Sequence, residues 1–308
     1  MNATRALLLA ASRNQWLRER ARRYSFVKKS VARFMPGETL ADAIAAARDL
    51  KTRNIATVLT HLGENVSDAR EAEHVTVHYL QVLEQLHSQN LETEISVKLT
   101  QLGLDLSPEL CEHNLRRLLG MEDAAKTLWI DMEASGYVDA TLKIYQKLLA
   151  EHRNTGICLQ AYLHRTESDI ESLLPMKPSI RLVKGAYSEP QAVALEKKGA
   201  IDANYFAIAQ KLLRAQSNGL VRRAAFATHD PILIRNITDF AAAEGMAKEQ
   251  VEFQMLYGIQ RAEQERLACG GWCSGVLIAY GDFWYPWFVR RLAERPANLW
   301  LLLRNLGN

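Results

Sequence analysis

The sequence has few features of a membrane-spanning or secreted protein. No uninterrupted apolar run in its 308 residues approaches the roughly 20 residues of a membrane span. The stretch Ala6–Ala11 is too short for the apolar core of a signal peptide. The four cysteines have no disulfide or zinc spacing, and Cys269 and Cys273 form only a Cys-x3-Cys pair. We therefore expect reduced thiols, no metal site and a cytoplasmic location.

The sequence also lacks a strong charge of one sign. Its net charge of +3 is too small to favour a nucleic acid as partner. Residues 1–34 differ from the rest, because they carry nine Lys and Arg against one acid, Glu19. This basic arm fits a transit peptide, a helix on an anionic membrane surface, or a solvated helix packed on the fold. The second interpretation adds peripheral contact with the inner membrane surface to the expected location.

Neither a Gly-x-Gly-x-x-Gly nor a phosphate-loop pattern occurs, and the chain instead alternates apolar runs with longer helical segments. The runs are Ile55–Leu62, Ile95–Leu99, Leu128–Met132, Ile157–Leu163, Ile180–Val183, Arg223–Ala227, Val251–Leu256 and Gly275–Tyr280. Helical spacing is found in Ala41–Lys51, Asp68–Gln89, Leu110–Leu119, Val138–His152, Pro190–Gln216 and Pro231–Glu244. Nearly continuous apolar strands separated by helices predict an α/β fold, a (β/α)8 barrel. We assign residues 1–40 to a helical arm and 41–308 to the barrel domain.

Polar side chains lie at the ends of the predicted strands, where such barrels hold their ligands. They include Thr60, His61, Glu64, Lys98, Thr100, Asp131, Glu133, Gln160, Tyr162, His164, Arg181, Lys184, Tyr187, Thr228, His229, Asp230, Glu252, Gln254 and Tyr280. Any one of them is as consistent with a structural ion pair as with catalysis. Together, cations beside amide and hydroxyl donors favour a large anionic cofactor and a carboxylate substrate. Arg290 and Arg291, expected at the start of a last helix over the barrel mouth, add a fork for that carboxylate.

Eight stretches follow one another along the chain: Thr60–Glu64, Ser96–Gly103, Ile130–Glu133, Leu159–Tyr162, Arg181–Tyr187, Ala227–Asp230, Glu252–Gln254 and Arg290–Glu294. In these stretches the chain resembles the proline dehydrogenases in their short monofunctional bacterial form. The resemblance implies a distorted (β/α)8 barrel that holds FAD and oxidises L-proline to Δ1-pyrroline-5-carboxylate. It also implies electron delivery to a membrane quinone and transfer of the product to a pyrroline-5-carboxylate dehydrogenase.

The resemblance further implies roles for individual residues. Arg181 would lie near the flavin N5 and stabilise its electron-rich form, while Asp131 would pair with Lys98 and fix its position. Glu64 would pair with Arg290 and close the pocket. The implied cofactor contacts are Met132, Gln160, Arg181, Lys184, Gly185, Ala186, Tyr187, Thr228, His229 and Gln254. The implied substrate contacts are Lys98, Arg290, Arg291, Leu277, Trp287 and Tyr280.

Two positions depart from the family pattern. Leu277 and Trp287 stand where the family has tyrosines, one of which covers the proline ring. The same chemistry on a substituted or different cyclic amino acid is therefore an alternative to proline. Two readings of other classes also remain: an aldolase-like barrel with Lys98 or Lys184 as a Schiff base, and a non-catalytic protein that binds flavin or an amino acid.

Overall fold

The computed structural model describes residues 31–63 and 65–294, with side chains through Val289. Within these ranges helices and strands alternate. In chain order they are α1 (Leu40–Lys51), β1 (Ala56–His61), α2 (Ala69–Ser88), β2 (Thr93–Lys98), α3 (Pro108–Met121), β3 (Leu128–Asp131), α4 (Val138–Glu151), β4 (Thr155–Gln160), α5 (Thr166–Leu173), β5 (Ser179–Val183), α6 (Lys198–Ser217), β6 (Arg223–Ala227), α7 (Pro231–Ala243), β7 (Glu252–Leu256), α8 (Arg261–Cys269), β8 (Cys273–Tyr280) and α9 (Trp284–Glu294). Short 3-10 turns connect several of them.

The eight strands form a closed barrel in sequence order. All pairings are parallel, and β8 pairs with β1 along six residues, Ala56 to His61. Each predicted apolar run overlaps an observed strand, so the (β/α)8 prediction is confirmed. The physical reason is that strands covered on both faces need apolar residues at nearly every position.

The register of the barrel determines which side chains face its interior. Arg181 on β5 has Cys158 and Ala225 as its Cα partners on β4 and β6. Since neighbouring partners point to the same face, the interior set can be followed around the barrel. It consists of Ala56, Val58, Thr60, Glu94, Ser96, Lys98, Trp129, Asp131, Gly156, Cys158, Gln160, Ser179, Arg181, Val183, Arg223, Ala225, Ala227, Glu252, Gln254, Leu256, Cys273, Gly275, Leu277 and Ala279.

The alternate residues of the strands face the helices and form the main apolar core. Leu59, Ile95 and Ile130 are fully buried there. The helices contribute one apolar stripe each, such as Tyr79 and Leu83 of α2. Burying such stripes supplies most of a helix's stability in a protein.

Helix starts and ends follow the sequence closely in most places. Thr39, a residue type that commonly caps helices, accepts a hydrogen bond from Asp42 N at 3.2 Å, and α1 begins after it. The segment predicted as one helix over Pro190–Gln216 is an error at its start, because α6 begins only at Lys198. Residues 190–197 instead bond to the loop after β4, where Leu195 N donates to Tyr162 O at 2.8 Å. Helices α5 and α8 were not predicted individually.

Helix α9 lies against the carboxyl ends of β1 and β8. Trp284 and Phe288 of α9 share an apolar cluster with Phe34, Leu62 and Ala279. Trp284 Nε1 also donates to Glu38 Oε1 at 2.7 Å. The final helix therefore covers the barrel mouth, as predicted.

The Arg pair lies in the middle of α9 and not at its start, because the helix begins at Trp284. Pro286 belongs to the first turn of this helix. A proline is tolerated there, since the first backbone N–H groups of a helix have no partner within the helix.

The division into an arm (1–40) and a barrel (41–308) stays a prediction, because residues 1–30 lie outside the described ranges. The described end of the arm packs on α9 through Val31, Phe34 and Met35. None of the described helices is both long enough and apolar enough to cross a membrane.

Candidate active site

Arg181 lies at the centre of the barrel interior. Its side chain is 4% exposed, and its Nη1 donates to Asp131 Oδ1 and Ser96 Oγ, each at 2.9 Å. Its Cζ lies 4.5 Å from the centroid of the Trp129 ring. Nε and Nη2 are buried and have no hydrogen-bond partner among the described residues. Leaving a buried donor unsatisfied costs about 1–3 kcal/mol, so this edge of the guanidinium can receive an electron-rich group.

Asp131 forms an ion pair with Arg181, and its pairing with Lys98 stays a prediction. The Cα atoms of Lys98 and Asp131 are partners in the register of β2 and β3. Asp131 Oδ1, however, accepts hydrogen bonds from Arg181 and, at 2.8 Å, from Ser96 Oγ. Within the described part of the chain, Lys98 forms no ion pair shorter than 4 Å. Lys98 thus brings a positive charge to the mouth end of β2.

A second charged group lies at the amino ends of the strands. Arg223 donates to both carboxylate oxygens of Glu252, at 2.6 and 2.8 Å, and to Thr127 Oγ1 at 3.0 Å. It also forms an ion pair with Glu94. We call Glu94, Arg223 and Glu252 the floor cluster. Burial opposes the charged forms, but the mutual attraction raises the pKa of Arg223 and lowers that of Glu252.

Gln160 and Gln254 face the interior above this floor. Gln160 Nε2 donates to the carbonyls of Met132 and Glu133, at 3.2 and 3.1 Å. Gln254 Nε2 donates to Glu252 Oε1 at 2.7 Å. The Oε1 atom of each glutamine is buried without a partner among the described residues, and each could accept a hydrogen bond from a ligand. The Met132 side chain itself packs in the main apolar core.

Lys184, directly after β5, belongs to a network of four charges. Its Nζ donates to Asp202 and, at 3.1 Å, to Asp230 Oδ2, and Lys198 contacts the same two carboxylates. Burial acts against ionisation of these acids, but the hydrogen bonds from the lysines lower the pKa of both Asp202 and Asp230. The network holds Lys184 at the ends of β5 and β6.

Gly185 has φ = +111°, and a Cβ there would lie 2.1 Å from the Tyr162 ring. Both the backbone conformation and the close ring therefore require glycine. Ala186 and Tyr187 continue this loop and are partly buried. The backbone after β5 is thus fixed close to the mouth of the barrel.

Thr228 and His229 follow β6, as predicted. Thr228 Oγ1 accepts from Asp230 N at 3.2 Å, and His229 Nε2 accepts from Leu256 N at 2.8 Å. The latter bond ties the loop after β6 to the end of β7. It also makes Nε2 the acceptor and Nδ1 the protonated nitrogen of a neutral His229.

Of the implied substrate contacts Leu277, Trp287 and Tyr280, only Leu277 lies inside the barrel. Leu277 packs there with Val58, Trp129 and Ala225. Trp287 is buried in the cluster beneath α9 and is 8% exposed. Leu277 thus lines the inside of the barrel, whereas Trp287 belongs to the apolar cluster of α9 that covers the barrel mouth.

Tyr280 points away from the interior, which corrects its assignment as a substrate contact. Its register partner is His61, and both side chains face α2. The Tyr280 hydroxyl lies 2.8 Å from His78 Nε2. Burial, with the charges of His78 and Lys98, lowers the pKa of His61 to about 4, although Asp282 opposes the shift. The hydrogen bond between Tyr280 and His78 therefore links β8 to α2.

Three predicted site residues cannot be compared with the structure. Glu64 and the side chains of Arg290 and Arg291 lie outside the described residues, so the Glu64–Arg290 gate stays a prediction. Among the described residues, no group of three or more His, Cys, Asp or Glu side chains could hold a metal ion.

Two interior residues were missed by the sequence analysis. Ser96 bonds to both Asp131 and Arg181, and Trp129 lies beneath the Arg181 guanidinium. Alternation along β2 and β3 could have found them, since Ser96 is two residues before Lys98 and Trp129 is two residues before Asp131. The assembled site can hold an electron-rich planar group at Arg181 and an anion at Lys98.

The chain matches the family model of proline dehydrogenase over residues 43–300. It is 35% identical over 306 residues to Proline dehydrogenase 1 of Bacillus subtilis (strain 168), covering 98% of each chain. It is also 35% identical over 272 residues to the proline dehydrogenase of Deinococcus radiodurans, covering 86% of each.

Solved structures of proline utilization A (PutA) share the fold. The protein from Bdellovibrio bacteriovorus gives a TM-score of 0.82 at 22% identity over 95% of this chain and 37% of that one. PutA from Corynebacterium freiburgense gives 0.73 at 23% identity over 97% and 34%. The chain thus spans about a third of the length of these PutA proteins. The match along nearly the full length of the Bacillus relatives assigns this chain to the proline dehydrogenase family of oxidoreductases.

Proposed function

We propose that this protein oxidises L-proline to Δ1-pyrroline-5-carboxylate with FAD as its bound cofactor. The observation that carries the proposal is the Arg181 guanidinium, buried at the barrel centre with Nε and Nη2 unpartnered among the described residues. Family membership and the proline dehydrogenase names of the relatives support the same reaction. No catalytic metal is needed for it.

The described residues fit a flavin. Arg181 offers two donors and Gln160 offers an acceptor, which suits the mixed acceptors and donors along the edge of an isoalloxazine. We assign the remaining cofactor contacts to Met132, Lys184, Gly185, Ala186, Tyr187, Thr228, His229 and Gln254. A bound FAD would supply the acceptor for the hydride that leaves the proline ring.

The chain itself has to orient the substrate and stabilise charge. Lys98 faces inward at the mouth end of β2, and we assign to it, with Arg290 and Arg291, the binding of the substrate carboxylate. Charge-assisted hydrogen bonds of this kind fix both position and orientation. Asp131 and Ser96 hold Arg181, whose positive charge stabilises the negative charge that develops in the reaction.

Water has to be excluded from this pocket while the reaction proceeds. Leu277, Val58 and Ala225 supply an apolar layer inside the barrel, and α9 covers the mouth with Trp284, Trp287 and Phe288. We propose that Glu64 and Arg290 close the entrance as an ion pair. Closure would strengthen every charge interaction inside.

Leu277 favours a second candidate substrate class. Its aliphatic side chain lies against Val58 and Trp129, at the position where the family has a tyrosine over the proline ring. This exchange leaves room for a substituted or differently sized cyclic amino acid. The same residues would bind its carboxylate, so only the ring specificity would change.

The Schiff-base alternative is less well supported than the flavin. Lys184 Nζ donates to Asp202 and Asp230, which occupies the nitrogen that a carbonyl substrate would need. Of the two lysines, only Lys98 then remains available to form a Schiff base. The anaerobic titration described below distinguishes an enzyme from a protein that only binds flavin or an amino acid.

We further propose that electrons pass to a membrane quinone at the inner membrane surface, where the basic arm would make contact. The product would pass to a separate pyrroline-5-carboxylate dehydrogenase. In support, several relatives are named bifunctional PutA, and the chain spans only 23% of their length. The second activity of those bifunctional proteins can therefore lie outside the part that this chain matches.

Anaerobic titration of the purified holoprotein tests the proposal directly. Proline, hydroxyprolines and pipecolate are added separately, and the visible flavin bands are followed, after which a quinone analogue is added. We expect proline to bleach the bands fastest and the quinone to restore them. Faster bleaching by another ring amino acid would move the assignment to the second substrate class.

The other outcomes contradict the proposal. Flavin that stays oxidised with every amino acid tested would favour a binding protein. A colourless protein that borohydride links covalently to its substrate would favour the Schiff base.

A further inference from the structure

Trp129 lies beneath the Arg181 guanidinium and has no role in the site as described so far. The Arg181 Cζ lies 4.5 Å from the centroid of the Trp129 ring, and the Arg223 Cζ lies 5.1 Å from it. Two arginines thus contact one fully buried indole at the barrel centre. A cation over an aromatic face gains about 2 kcal/mol or more when both are removed from water.

Trp129 cannot easily move. Its Nε1 donates to Glu94 Oε2 at 2.8 Å, and Glu94 is in turn held by Arg223 and by Thr127 N at 2.9 Å. On another side, a Cβ at Gly156 would lie 2.6 Å from the Trp129 ring. The floor cluster and the backbone of β4 therefore fix the indole in one orientation.

A rigid indole constrains the guanidinium above it. The hydrogen bonds from Nη1 to Ser96 and Asp131 fix one corner of Arg181. They do not fix rotation of the planar group about that corner, whereas contact with the ring face restricts it. The hydrogen bonds from Nη1 and the contact with the ring face together determine where the Nε–Nη2 edge lies. This edge has no partners among the described residues.

We propose that Trp129 is a positioning residue that holds the Nε–Nη2 edge of Arg181 against the bound flavin. The inference rests on the proposed function. Because the charge of Arg181 favours the electron-rich form of the flavin, loss of the platform should lower the two-electron reduction potential. A tenfold weaker stabilisation of that form corresponds to about 30 mV.

The test compares Trp129→Leu and Trp129→Phe with Trp272→Leu. Trp272 is a suitable control because it is partly buried near the outside of the barrel and contacts a cation, Lys248 Nζ, at 5.8 Å. For each holoprotein we measure the flavin potential by equilibration with a reference dye, the anaerobic rate of flavin reduction, and KM. Proline serves as the substrate.

We expect Trp129→Leu to lower the potential by about 30 mV or more and the reduction rate by about tenfold or more. KM should change less than threefold, because the carboxylate contacts are elsewhere. Trp129→Phe keeps a ring beneath Arg181 and should lie between Trp129→Leu and wild type. Trp272→Leu should match wild type in all three measurements.

A potential and a rate unchanged in both Trp129 variants would overturn the inference. If Trp129→Leu does not fold, Trp129→Phe together with Glu94→Gln, which weakens the anchor of the indole from the other side, gives the same decision. A wild-type protein without flavin, or with flavin that proline does not reduce, would instead refute the proposed function. The two failures are therefore distinguishable.

Discussion

The two arginines inside the barrel differ in how completely their hydrogen bonds are satisfied. Arg223 uses Nε, Nη1 and Nη2 on Glu252, Glu94 and Thr127. Among the described residues, Arg181 finds acceptors for Nη1 alone, on Asp131 and Ser96. Both lie over the same Trp129 ring. Residue type and contact with Trp129 therefore do not distinguish the two arginines, whereas the number of nitrogens with a hydrogen-bond partner does.

The difference indicates how the barrel divides stability from function. Arg223 is at the amino ends of the strands, away from the barrel mouth, and each of its three nitrogens has an acceptor. Arg181 is nearer the mouth and keeps two donors for a ligand. Unsatisfied buried groups are costly, so a chain retains them where they have another use.

The largest expected effect is on stability, from Arg223→Met. Removing this arginine leaves Glu94 and Glu252 buried with much of their negative charge uncompensated. We expect the free energy of unfolding to fall by about 3–5 kcal/mol. Urea unfolding at neutral pH measures it.

Arg181→Met is the matched control for that measurement. Asp131 keeps its hydrogen bond from Ser96, and its side chain is 20% exposed, so the remaining charge is partly solvated. Removing Arg181 also removes two buried nitrogens that have no partner among the described residues, and this offsets part of the lost contact with Trp129. The loss should therefore be clearly smaller than in Arg223→Met, about 1–2 kcal/mol. Equal losses in the two variants would mean that the contrast between the arginines is mistaken.

A smaller effect is expected at Glu122, a buried carboxyl near Glu94 that pairs with no arginine in the described part of the chain. Burial, only partly offset by the hydrogen bond from Asp123 N and the charge of Lys126, raises the pKa of Glu122 to about 7. Between its ordinary pKa near 4.5 and pH 7, the folded protein binds a proton that the unfolded chain has released. Stability therefore falls as the pH rises through this window.

Glu122→Gln tests this by removing the charge. The variant should be more stable than wild type by about 1–2 kcal/mol at about pH 8, and the gain should disappear near pH 4. Urea unfolding of both proteins at the two pH values gives the comparison. A gain independent of pH would show that the carboxyl is not ionising inside the fold.

The barrel could be predicted from sequence because its strands are buried on both faces. Ile180, Leu182 and Val183 mark β5 by composition alone, and the ends of the strands then locate the site. Arg181 was found in this way, since a charge within such a strand needs a partner or a ligand.

The register could not be predicted, and the errors follow from that. A shift by one residue turns a side chain from the interior to the helices, so Tyr280 was assigned to the pocket although it contacts His78 of α2. The contact of Asp131 with Arg181 was also missed, because the two residues are 50 positions apart in sequence and meet only across the barrel. Pro190 resembled a helix start, but its segment bonds to the loop after β4.

The central claim is that Arg181, and not Arg223, serves the reaction. The most direct measurement is the single-turnover rate at which proline bleaches the flavin anaerobically in wild type and in Arg181→Lys, each with its flavin content determined. Lysine keeps the charge but loses the planar edge, and we expect the rate to fall about 100-fold or more with the flavin retained. A rate within about threefold of wild type in Arg181→Lys would contradict the account.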